Sequence, residues 1–372
     1  MSTPLKVGLL GCGGISRVHM TPYLTHPDRV RLTAVCDMVE PLARDYAKDA
    51  GVDAVYTDLD DMLYNADIEA IDICTNHAAH APITIAAARA GKHVLCEKAM
   101  ANTLQACRDM IEETDKAGVT LMIAHHLRHS REATAVKRFI DGGNLGEIQA
   151  VRTHVTMGGG GGGRPGGKTW SSDFNMGGGV LMLNSIHHID LLRYYIGNVT
   201  RVMAVRKTAQ PHMLNGAEDL CAATLEFENG AIGGLFASWT TNETPERAAY
   251  LIFGTKGTVH STSPENPRSS ESPIPHFGTV KYALKDPDEN LDFRNDADLQ
   301  KLRHPQFDPI PTIEADQPTA NFFVNEILYF ADCCRTGKEP TSSGHDNIES
   351  MKVLFAIYES SRSGRAVDLA DL

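Results

Sequence analysis

The sequence predicts a two-domain fold, in which an N-terminal doubly wound α/β domain is followed by a C-terminal α+β domain with an open, largely antiparallel sheet. A length of 372 residues is typical of two domains of ordinary size. From Leu5 to Ala124, short β-branched runs alternate with helical stretches, which indicates a parallel sheet covered by helices. After Gly142-Gly143 the pattern changes to alternating strands joined by turns. We therefore expect one domain over residues 1–125 and a second over residues 126–372.

The first domain contains five predicted strands and four predicted helices in alternation. Three of the helices are followed at once by glycine, at Gly51, Gly91 and Gly118, where a left-handed cap costs glycine least. The predicted strands are Leu5–Leu10, Arg31–Cys36, Ala70–Thr75, His93–Cys96 and Val119–Ala124, and the predicted helices are Ile15–Leu24, Val39–Ala50, Ala81–Ala90 and Thr103–Ala117.

The second domain begins with a predicted strand and ends with helices. Asn229-Gly230 is typical of a hairpin turn between two strands. The segment His260–Pro318 is polar and carries nine prolines, so we expect a long surface excursion without regular structure. The predicted strands are Ile148–Thr156, Cys221–Glu226, Ala231–Ser238 and Tyr250–Phe253, and the predicted helices are Leu181–Ile196, Asn321–Thr336 and Asn347–Ser361.

Composition excludes several classes of protein. Lysine and arginine number 35 against 47 acidic residues, a net charge of −12 that would repel nucleic acid and anionic membranes. No apolar run approaches the roughly 18 residues of a membrane-spanning helix, and the glycine-rich start does not resemble a signal peptide. The eight cysteines form no Cys-x-x-Cys pair. We therefore expect a cytoplasmic protein with reduced thiols and neither a nucleic-acid nor a membrane partner.

A glycine-rich turn follows the first predicted strand and opens the first helix. In Gly11-Cys12-Gly13-Gly14-Ile15-Ser16, the glycines would let backbone N–H groups approach a pyrophosphate at the helix N-terminus. Asp37 ends the second strand 26 positions after Gly11, where a carboxylate can hold a ribose 2′-hydroxyl. Because this carboxylate would repel a 2′-phosphate, the sequence predicts a dinucleotide site for NAD rather than NADP.

A second glycine cluster resembles a phosphate-binding loop only by its letters. Residues 162–169 fit the pattern G-x4-G-K-[ST], but no helical period follows them, and we do not expect ATP or GTP hydrolysis. Eight of the ten residues 158–167 are glycine, which favours a mobile loop beside the site. Arg164 and Lys168 could bind an anionic group of a substrate or could be ordinary solvated charges.

Two further segments carry groups suited to catalysis. Gly91–Lys98 ends a strand with the pair Glu97-Lys98 at the carboxyl edge of the sheet, where ligands of such folds bind. Three glycines at 177–179 lead into a helix in which Asn184, His187 and Asp190 recur at one-turn spacing.

With these residues in view, the sequence resembles the glucose–fructose oxidoreductase, inositol dehydrogenase and rhizopine-catabolism family of NAD(P)-dependent oxidoreductases over nearly its whole length. The matching segments are Gly11–Ser16, Thr75 to His80, Gly91–Lys98, Arg128 with Gly142 to Gly146, Gly177–Asp190 and Ser360–Arg365. The resemblance implies a Rossmann domain, a second domain whose open sheet often mediates oligomers, and a sugar-like substrate between them. We accordingly expect a homo-oligomer, either a dimer or a tetramer.

The resemblance also implies roles for individual residues. Lys98 matches the lysine that contacts the oxidised hydroxyl, and His187 matches the catalytic histidine, a group that titrates near neutrality and can accept the hydroxyl proton. The expected cofactor-binding residues are Gly11, Gly13, Gly14, Ile15, Ser16, Asp37, Thr75, Asn76, His80, Glu97 and Lys98, and the expected substrate-binding residues are Arg128, Arg164, Lys168, Trp170, Asn184 and His188.

Three positions depart from the family pattern. Ala99 stands where the family has proline after the lysine, and Asn76 also replaces a usual proline. Leu183 stands where the family often has aspartate one turn before the histidine, so orientation of the imidazole must use Asn184, His188 or a residue from elsewhere.

A histidine cluster follows the fifth predicted strand. His125, His126 and His129 surround Arg128 and can line a substrate cleft. They lack a carboxylate or cysteine at a spacing typical of zinc ligands, so we predict no metal.

Three functions are compatible with this pattern. The first is an NAD-dependent oxidoreductase that transfers hydride between nicotinamide and a secondary hydroxyl of a sugar, cyclitol or polyol. The second is a glycosidase that oxidises the sugar transiently, eliminates the aglycone and reduces the ring again, for which a sulfonated or uronic glycoside is a candidate substrate. The third is a non-catalytic sensor, against which the presence of Lys98 and His187 argues.

Overall fold

The computed structural model describes residues 3–156, 170–241, 248–261, 280–285, 300–301, 305–312 and 317–372, and these residues form two sheets. The first sheet is parallel throughout, with the strand order β3-β2-β1-β4-β5-β6. Its strands are β1 Leu5–Leu10, β2 Val30–Cys36, β3 Val55–Tyr56, β4 Ala70–Ile73, β5 His93–Glu97 and β6 Leu121–Ala124. The order reverses between β1 and β4, which is where doubly wound folds bind ligands. The predicted N-terminal fold is confirmed.

Helices cover both faces of this sheet. Helix α5 shows why they begin and end where they do: the Thr103 side chain accepts the Ala106 N–H at its start, and Gly118 ends it with a φ of 65°. The helices are α1 Ser16–Thr25, α2 Glu40–Ala50, α3 Leu59–Asn65, α4 His77–Arg89 and α5 Leu104–Ala117.

The second sheet is nine-stranded, and its order is β14-β13-β12-β11-β7-β10-β9-β8-β15. Among its described pairs, β7 and β10 run parallel and the rest run antiparallel, as predicted for a largely antiparallel sheet. Its strands are β7 Ile148–Thr156, β8 Val199–Lys207, β9 Leu220–Phe227, β10 Ile232–Ser238, β11 Ala248–Gly254, β12 Gly257–Ser261, β13 Val280–Leu284, β14 Asp308–Pro309 and β15 Val367–Asp368.

One face of the second sheet is covered by helices, and the other is open. Along β9 buried and exposed residues alternate, which is the pattern of a sheet with one packed face. The remaining helices are α6 Arg131–Asp141, α7 Ile186–Ile196, α8 Phe322–Thr336 and α9 Gly344–Ser363. Helix α9 packs on β8, α7 and α5, whereas α8 returns to the first domain and packs on α1. No described helix is long and apolar enough to cross a membrane.

Some predicted elements are wrong in extent. The segment His260–Pro318 is not wholly irregular, because β13 pairs with β12 and Asp308–Pro309 pairs with β13 at the sheet edge, where proline is tolerated. Helix α4 begins at His77, four residues before the predicted Ala81. Its first turn buries histidines rather than apolar side chains, so hydrophobic periodicity does not reveal it.

A buried ion pair joins the turn after β6 to the helices of the second domain. The Arg128 guanidinium donates from Nε and Nη2 to the Asp190 carboxylate at 2.7 and 2.6 Å, and from Nη2 to Asp346 at 2.7 Å. Burial opposes ionisation of Asp190, yet the charge of Arg128 holds the pKa of this carboxyl below its usual value. The three residues therefore connect β6, α7 and α9 in one charged cluster.

Substitution of Arg128 by methionine should destabilise the protein strongly. The variant leaves Asp190 buried without its partner, which costs about 3–5 kcal/mol of unfolding free energy. Urea unfolding followed by circular dichroism measures this loss. The double variant Arg128→Met/Asp190→Asn should recover part of it, because the unpaired charge is gone.

The control is Arg201→Met, which removes an exposed pair with Asp368 at 3.6 Å and should cost less than about 1 kcal/mol. An Arg128→Met variant as stable as this control would contradict the role given to the cluster.

Candidate active site

The candidate site lies at the carboxyl edge of the parallel sheet, beside the start of α7. Contacts within the protein fix the conformation of the glycine turn after β1. A Cβ on Gly11, whose φ is +92°, would lie 2.7 Å from the Cys74 carbonyl oxygen, so no other residue fits there. The Asp37 carboxylate accepts the Cys12 N–H at 2.8 Å, and the Ser16 hydroxyl donates to the Gly13 carbonyl at 2.7 Å.

The same turn leaves room for a dinucleotide. Gly13 and Gly14 are exposed, and a Cβ on either would meet no atom within 4 Å. Helix α1 begins directly after Ile15, so its unpaired first N–H groups face this space. Across the crevice, the buried Oδ1 of Asn76 has no hydrogen-bond partner among the described residues. An open cradle and an unsatisfied polar atom fit the predicted pyrophosphate and ribose of NAD.

The loop after β4 is held by His80 rather than opened toward a ligand. Its Nδ1 lies 2.9 Å from the Ala99 carbonyl and its Nε2 lies 3.2 Å from the Thr75 carbonyl. Burial lowers the pKa of this imidazole. Both ring nitrogens face backbone oxygens, and the expected binding of the cofactor by His80 stays a prediction. These contacts fix Thr75 beside the crevice.

Lys98 extends from the end of β5 to the second domain. Its Nζ donates to the Leu183 carbonyl at 2.8 Å, and its backbone N–H donates to the Glu97 carboxylate at 3.0 Å. Burial lowers the pKa of the Lys98 ammonium, while the charge of Glu97 opposes that shift. The other oxygen of Glu97 faces His19 Nε2 at 3.2 Å. Glu97 thus orients Lys98 from the interior, and its expected role as a cofactor ligand stays a prediction.

His77 is a site residue that the sequence analysis missed. Its Nε2 lies 3.1 Å from the Lys98 carbonyl and its Nδ1 lies 2.6 Å from the Gly177 carbonyl, so one ring joins both domains. The Lys98–Ala99 peptide bond between the two histidine contacts is cis. Trp170, an expected substrate ligand, is 40% exposed and packs edge-on against the His77 ring at 5.1 Å. Contacts to backbone carbonyls leave no sequence pattern, so no signal could have found His77.

The predicted helix over 181–196 is in two parts. Residues Leu181–Ser185 form a π-helical turn, and α7 continues from Ile186. The Leu183 carbonyl that receives Lys98 therefore lies one turn before His187. The ring of His187 packs against those of His126 and His125, with centroids 4.5 and 5.8 Å away.

The polar residues of this helix do not form one stripe. Asn184 Oδ1 accepts the Trp239 indole N–H at 2.9 Å, whereas Asp190 binds Arg128. His188 Nδ1 lies 2.9 Å from the Thr153 hydroxyl of β7, so its ring faces the sheet. That His188 binds substrate stays a prediction, because this contact accounts only for its Nδ1.

Arg128 is not a substrate ligand. Besides its bonds to Asp190 and Asp346, it donates from Nη1 to the Thr341 carbonyl at 2.5 Å, so four of its five N–H groups are engaged. This corrects the sequence expectation, since the guanidinium is used to join helices. Arg164 and Lys168, also expected to bind substrate, lie outside the described residues.

The histidines after β6 surround this buried charge. Burial lowers the pKa of His125 to about 4 and that of His129 to about 3. His125 Nε2 lies 2.6 Å from the Asn347 amide nitrogen, and its Nδ1 lies 3.5 Å from the Asp190 carboxylate. His125 is therefore neutral near pH 7 and stands between His187 and a carboxylate. With leucine at position 183, a residue other than aspartate must orient the His187 imidazole, and His125 is such a neighbour from elsewhere in the chain.

Another buried cluster lies beneath the glycine turn. His19, Asp72 and Cys74 place one ligand atom each within 4.8 Å of one another. The Asp72 carboxylate already receives the Tyr23 hydroxyl at 2.8 Å and faces His19 Nδ1 at 3.0 Å. Together with the bond from His19 to Glu97, these contacts connect β4 to the residue before Lys98. The absence of a metal stays a prediction.

Comparison with known families gives two matches. The model of an oxidoreductase family with an NAD-binding Rossmann fold matches residues 5–125, and that of the C-terminal α/β domain of the same family matches residues 137–369. Among curated proteins, D-apiose dehydrogenase of Paraburkholderia graminis is 26% identical over 99% of this chain and 90% of its own length. Myo-inositol 2-dehydrogenase of Thermotoga maritima is 27% identical over 68% of this chain and 74% of its own length.

Solved structures resemble the whole chain. Aldose-aldose oxidoreductase from Caulobacter crescentus, complexed with glycerol, is 26% identical, with a TM-score of 0.80 and coverage of 98% of this chain and 99% of the other. A levoglucosan dehydrogenase complexed with NADH and levoglucosan has a TM-score of 0.83 at 23% identity, which supports the fold, and covers 99% of this chain and 100% of the other.

Substitution of Gly13 by valine should weaken cofactor binding strongly without harming the fold. The position has ordinary backbone angles and open space around it, so a side chain is accommodated but occupies the expected pyrophosphate site. We expect the Kd for NADH, measured by fluorescence titration, to rise at least about tenfold.

The matched variant is Gly11→Ala, which meets the Cys74 carbonyl and should lower the unfolding temperature instead. Unchanged NADH affinity in Gly13→Val would contradict the assignment of this turn.

Proposed function

We propose that this protein, which belongs to the glucose–fructose oxidoreductase, inositol dehydrogenase and MocA family of NAD-dependent oxidoreductases, transfers hydride between NAD and a secondary hydroxyl of a sugar, cyclitol or related polyol. The observation that carries the proposal is the contact of Lys98 Nζ with the Leu183 carbonyl, one turn before His187. This contact brings the Lys98 ammonium from the first domain to the turn that leads into α7, the helix that carries His187.

The names of the relatives support the substrate class. A D-apiose dehydrogenase and a myo-inositol 2-dehydrogenase both oxidise polyhydroxylated compounds by their names. The residues around the site suit such a compound. Asn184, held by the buried Trp239 indole N–H, and the partly exposed Trp170 ring offer an amide and an aromatic surface, which are usual in carbohydrate sites.

The residues of the site have distinct roles in the proposed reaction. When bound, NAD supplies the acceptor for the hydride that leaves the substrate carbon. Asp37 and the N–H groups of the glycine turn hold the ribose and the pyrophosphate. The Lys98 ammonium, with its pKa lowered by burial, stabilises the negative charge that develops on the substrate oxygen. His187 accepts the hydroxyl proton, so that the C–H and O–H bonds break and a C=O bond forms.

Homo-oligomer formation is proposed for the open face of the second sheet. Met203 and Val205 on β8 and Ile232 and Phe236 on β10 alternate with core residues and are 44%, 68%, 58% and 39% exposed. The two strands flank β9, so these exposed apolar side chains lie on one face of the sheet, which is typical of a surface that packs on another protein. A second copy of this chain is the partner that the family resemblance favours.

The state of the cofactor tests the proposed activity. Purified protein is denatured and the released nucleotide identified as NAD or NADH. NADH absorbance is then followed as sugars, polyols and aryl glycosides are added. We expect free NADH to accumulate in proportion to a sugar or polyol, with the Gly13→Val variant as the cofactor-deficient control.

Two results would contradict the dehydrogenase. Tightly held NAD with aglycone release and no net NADH would indicate the redox glycosidase instead. Binding of NAD without turnover of any compound would indicate a sensor.

A further inference from the structure

A buried carboxyl group contacts the start of the turn that leads into α7, the helix of His187, which we call the catalytic helix. Glu218 is fully buried two residues before β9. Its Oε1 accepts the Leu181 N–H at 2.9 Å, and its backbone carbonyl accepts the Val180 N–H at 2.9 Å. A Cβ on Gly179 would lie 2.4 Å from this carboxylate, so the glycine there lets the chain pass closely. Glu218 therefore holds the first N–H groups of the segment that leads to His187.

The same segment holds Lys98. The π-helical turn Leu181–Ser185 begins at the N–H bound by Glu218, and two residues later the Leu183 carbonyl receives the Lys98 ammonium. The carboxylate and Lys98 thus act on one short turn from opposite sides. The bond from Leu181 to Glu218 and the acceptor of Lys98 therefore belong to the same turn, directly before α7.

We propose that Glu218 is a positioning residue whose ionised carboxylate fixes the turn that aligns Lys98 and His187, so that its protonation lowers the rate of hydride transfer. This inference rests on the proposed function of the site. A charged acceptor binds a backbone N–H about twice as strongly as a neutral one, and a negative charge is favoured at the start of a helix. Protonation removes both effects while leaving the fold intact.

The groups that face Glu218 come from three elements. Arg206 on β8 places Nη1 3.7 Å from Glu218 Oε2, and Tyr358 on α9 donates its hydroxyl to Oε1 at 3.4 Å. The Arg206 guanidinium is held by stacking on the rings of Phe174 and Tyr358, at 5.7 and 5.0 Å. The thiol of Cys221 on β9 completes the titratable and charged groups described around the carboxyl.

These surroundings place the titration of Glu218 near neutral pH. Burial raises the pKa of Glu218 to about 7, although the Leu181 N–H and Arg206 act in the opposite direction. The carboxylate form, and with it the aligned site, is therefore gained as pH rises through about 7. Stability changes in the other sense. The folded protein holds this proton where the unfolded chain has lost it, so stability falls from about pH 4.5 to about pH 7.

The pH profile of turnover tests the proposal with Glu218→Gln, which keeps the size and an oxygen acceptor but cannot ionise. Deprotonation of His187 raises kcat/KM in both proteins, so the readout is the ratio between them: we expect kcat/KM of the wild type to match that of Glu218→Gln at pH 5 and to exceed it about tenfold above a midpoint near pH 7. The unfolding temperature of the wild type should also fall more between pH 5 and pH 8 than that of the variant.

The matched control is Asp219→Asn. Asp219 is the next buried carboxylate, but it accepts the N–H groups of Ala209 and Gln210 and does not touch the catalytic helix. Its loss should lower stability and leave the midpoint near pH 7 in place. A control that loses the same midpoint would overturn the assignment to Glu218.

The Leu181 amide gives a readout that needs no substrate. With ¹⁵N-leucine labelling, its resonance should titrate near pH 7 in the wild type and not in Glu218→Gln. No titration, or titration with identical turnover profiles in both proteins, would overturn the proposal. A wild type that titrates at Leu181 but oxidises no sugar would contradict the proposed function, and the coupling to catalysis would fall with it.

Discussion

The site depends on one hydrogen bond between the two domains, from the Lys98 ammonium to the Leu183 carbonyl. This bond forms only if the two domains hold a fixed position relative to each other. Lys98 belongs to the end of β5, and Leu183 belongs to a turn of the second domain, yet their polar atoms lie 2.8 Å apart. On one side, Glu97 and His77 hold the backbone of Lys98. On the other, Glu218 holds the start of the turn and the Arg128 cluster holds α7. The proposed catalytic side chains are thus positioned mainly by hydrogen bonds to backbone groups.

Burial controls charge throughout this region. Burial lowers the pKa of His125 and of His77, so these imidazoles are neutral where a positive charge would compete with Lys98. The charge of Arg128 lowers the pKa of Asp190 against the effect of burial, so Asp190 remains ionised, and this carboxylate lies 3.5 Å from His125. His125 in turn contacts the His187 ring. The Asp190 carboxylate is therefore linked to the candidate base His187 through the ring of His125. Leucine at position 183 replaces the aspartate that the family often has one turn before this histidine.

The fold and the dinucleotide turn could be predicted because they depend on local patterns. Alternating strands and helices, the glycines after helices and the spacing from Gly11 to Asp37 are all legible in one sequence. The parts that could not be predicted depend on long-range packing. His77 and Glu218 bind backbone groups 100 and 37 residues away, and Arg128 forms its cluster with residues 62 and 218 positions distant. Polar residues near the cleft were expected to bind ligands, but several of them form hydrogen bonds within the protein that fix the elements around the cleft.

The central claim is that Lys98 and His187 carry the chemistry at a site formed by both domains. It is tested by the rate of NADH formation in a single turnover of NAD-loaded protein with its sugar. Lys98→Ala and His187→Ala should each lose at least about 100-fold while still binding NAD. Lys92→Ala, in the same glycine-to-lysine segment but bonded to the Ile68 carbonyl, should keep the wild-type rate. Full activity in either of the first two variants would remove that residue from the mechanism and contradict the account.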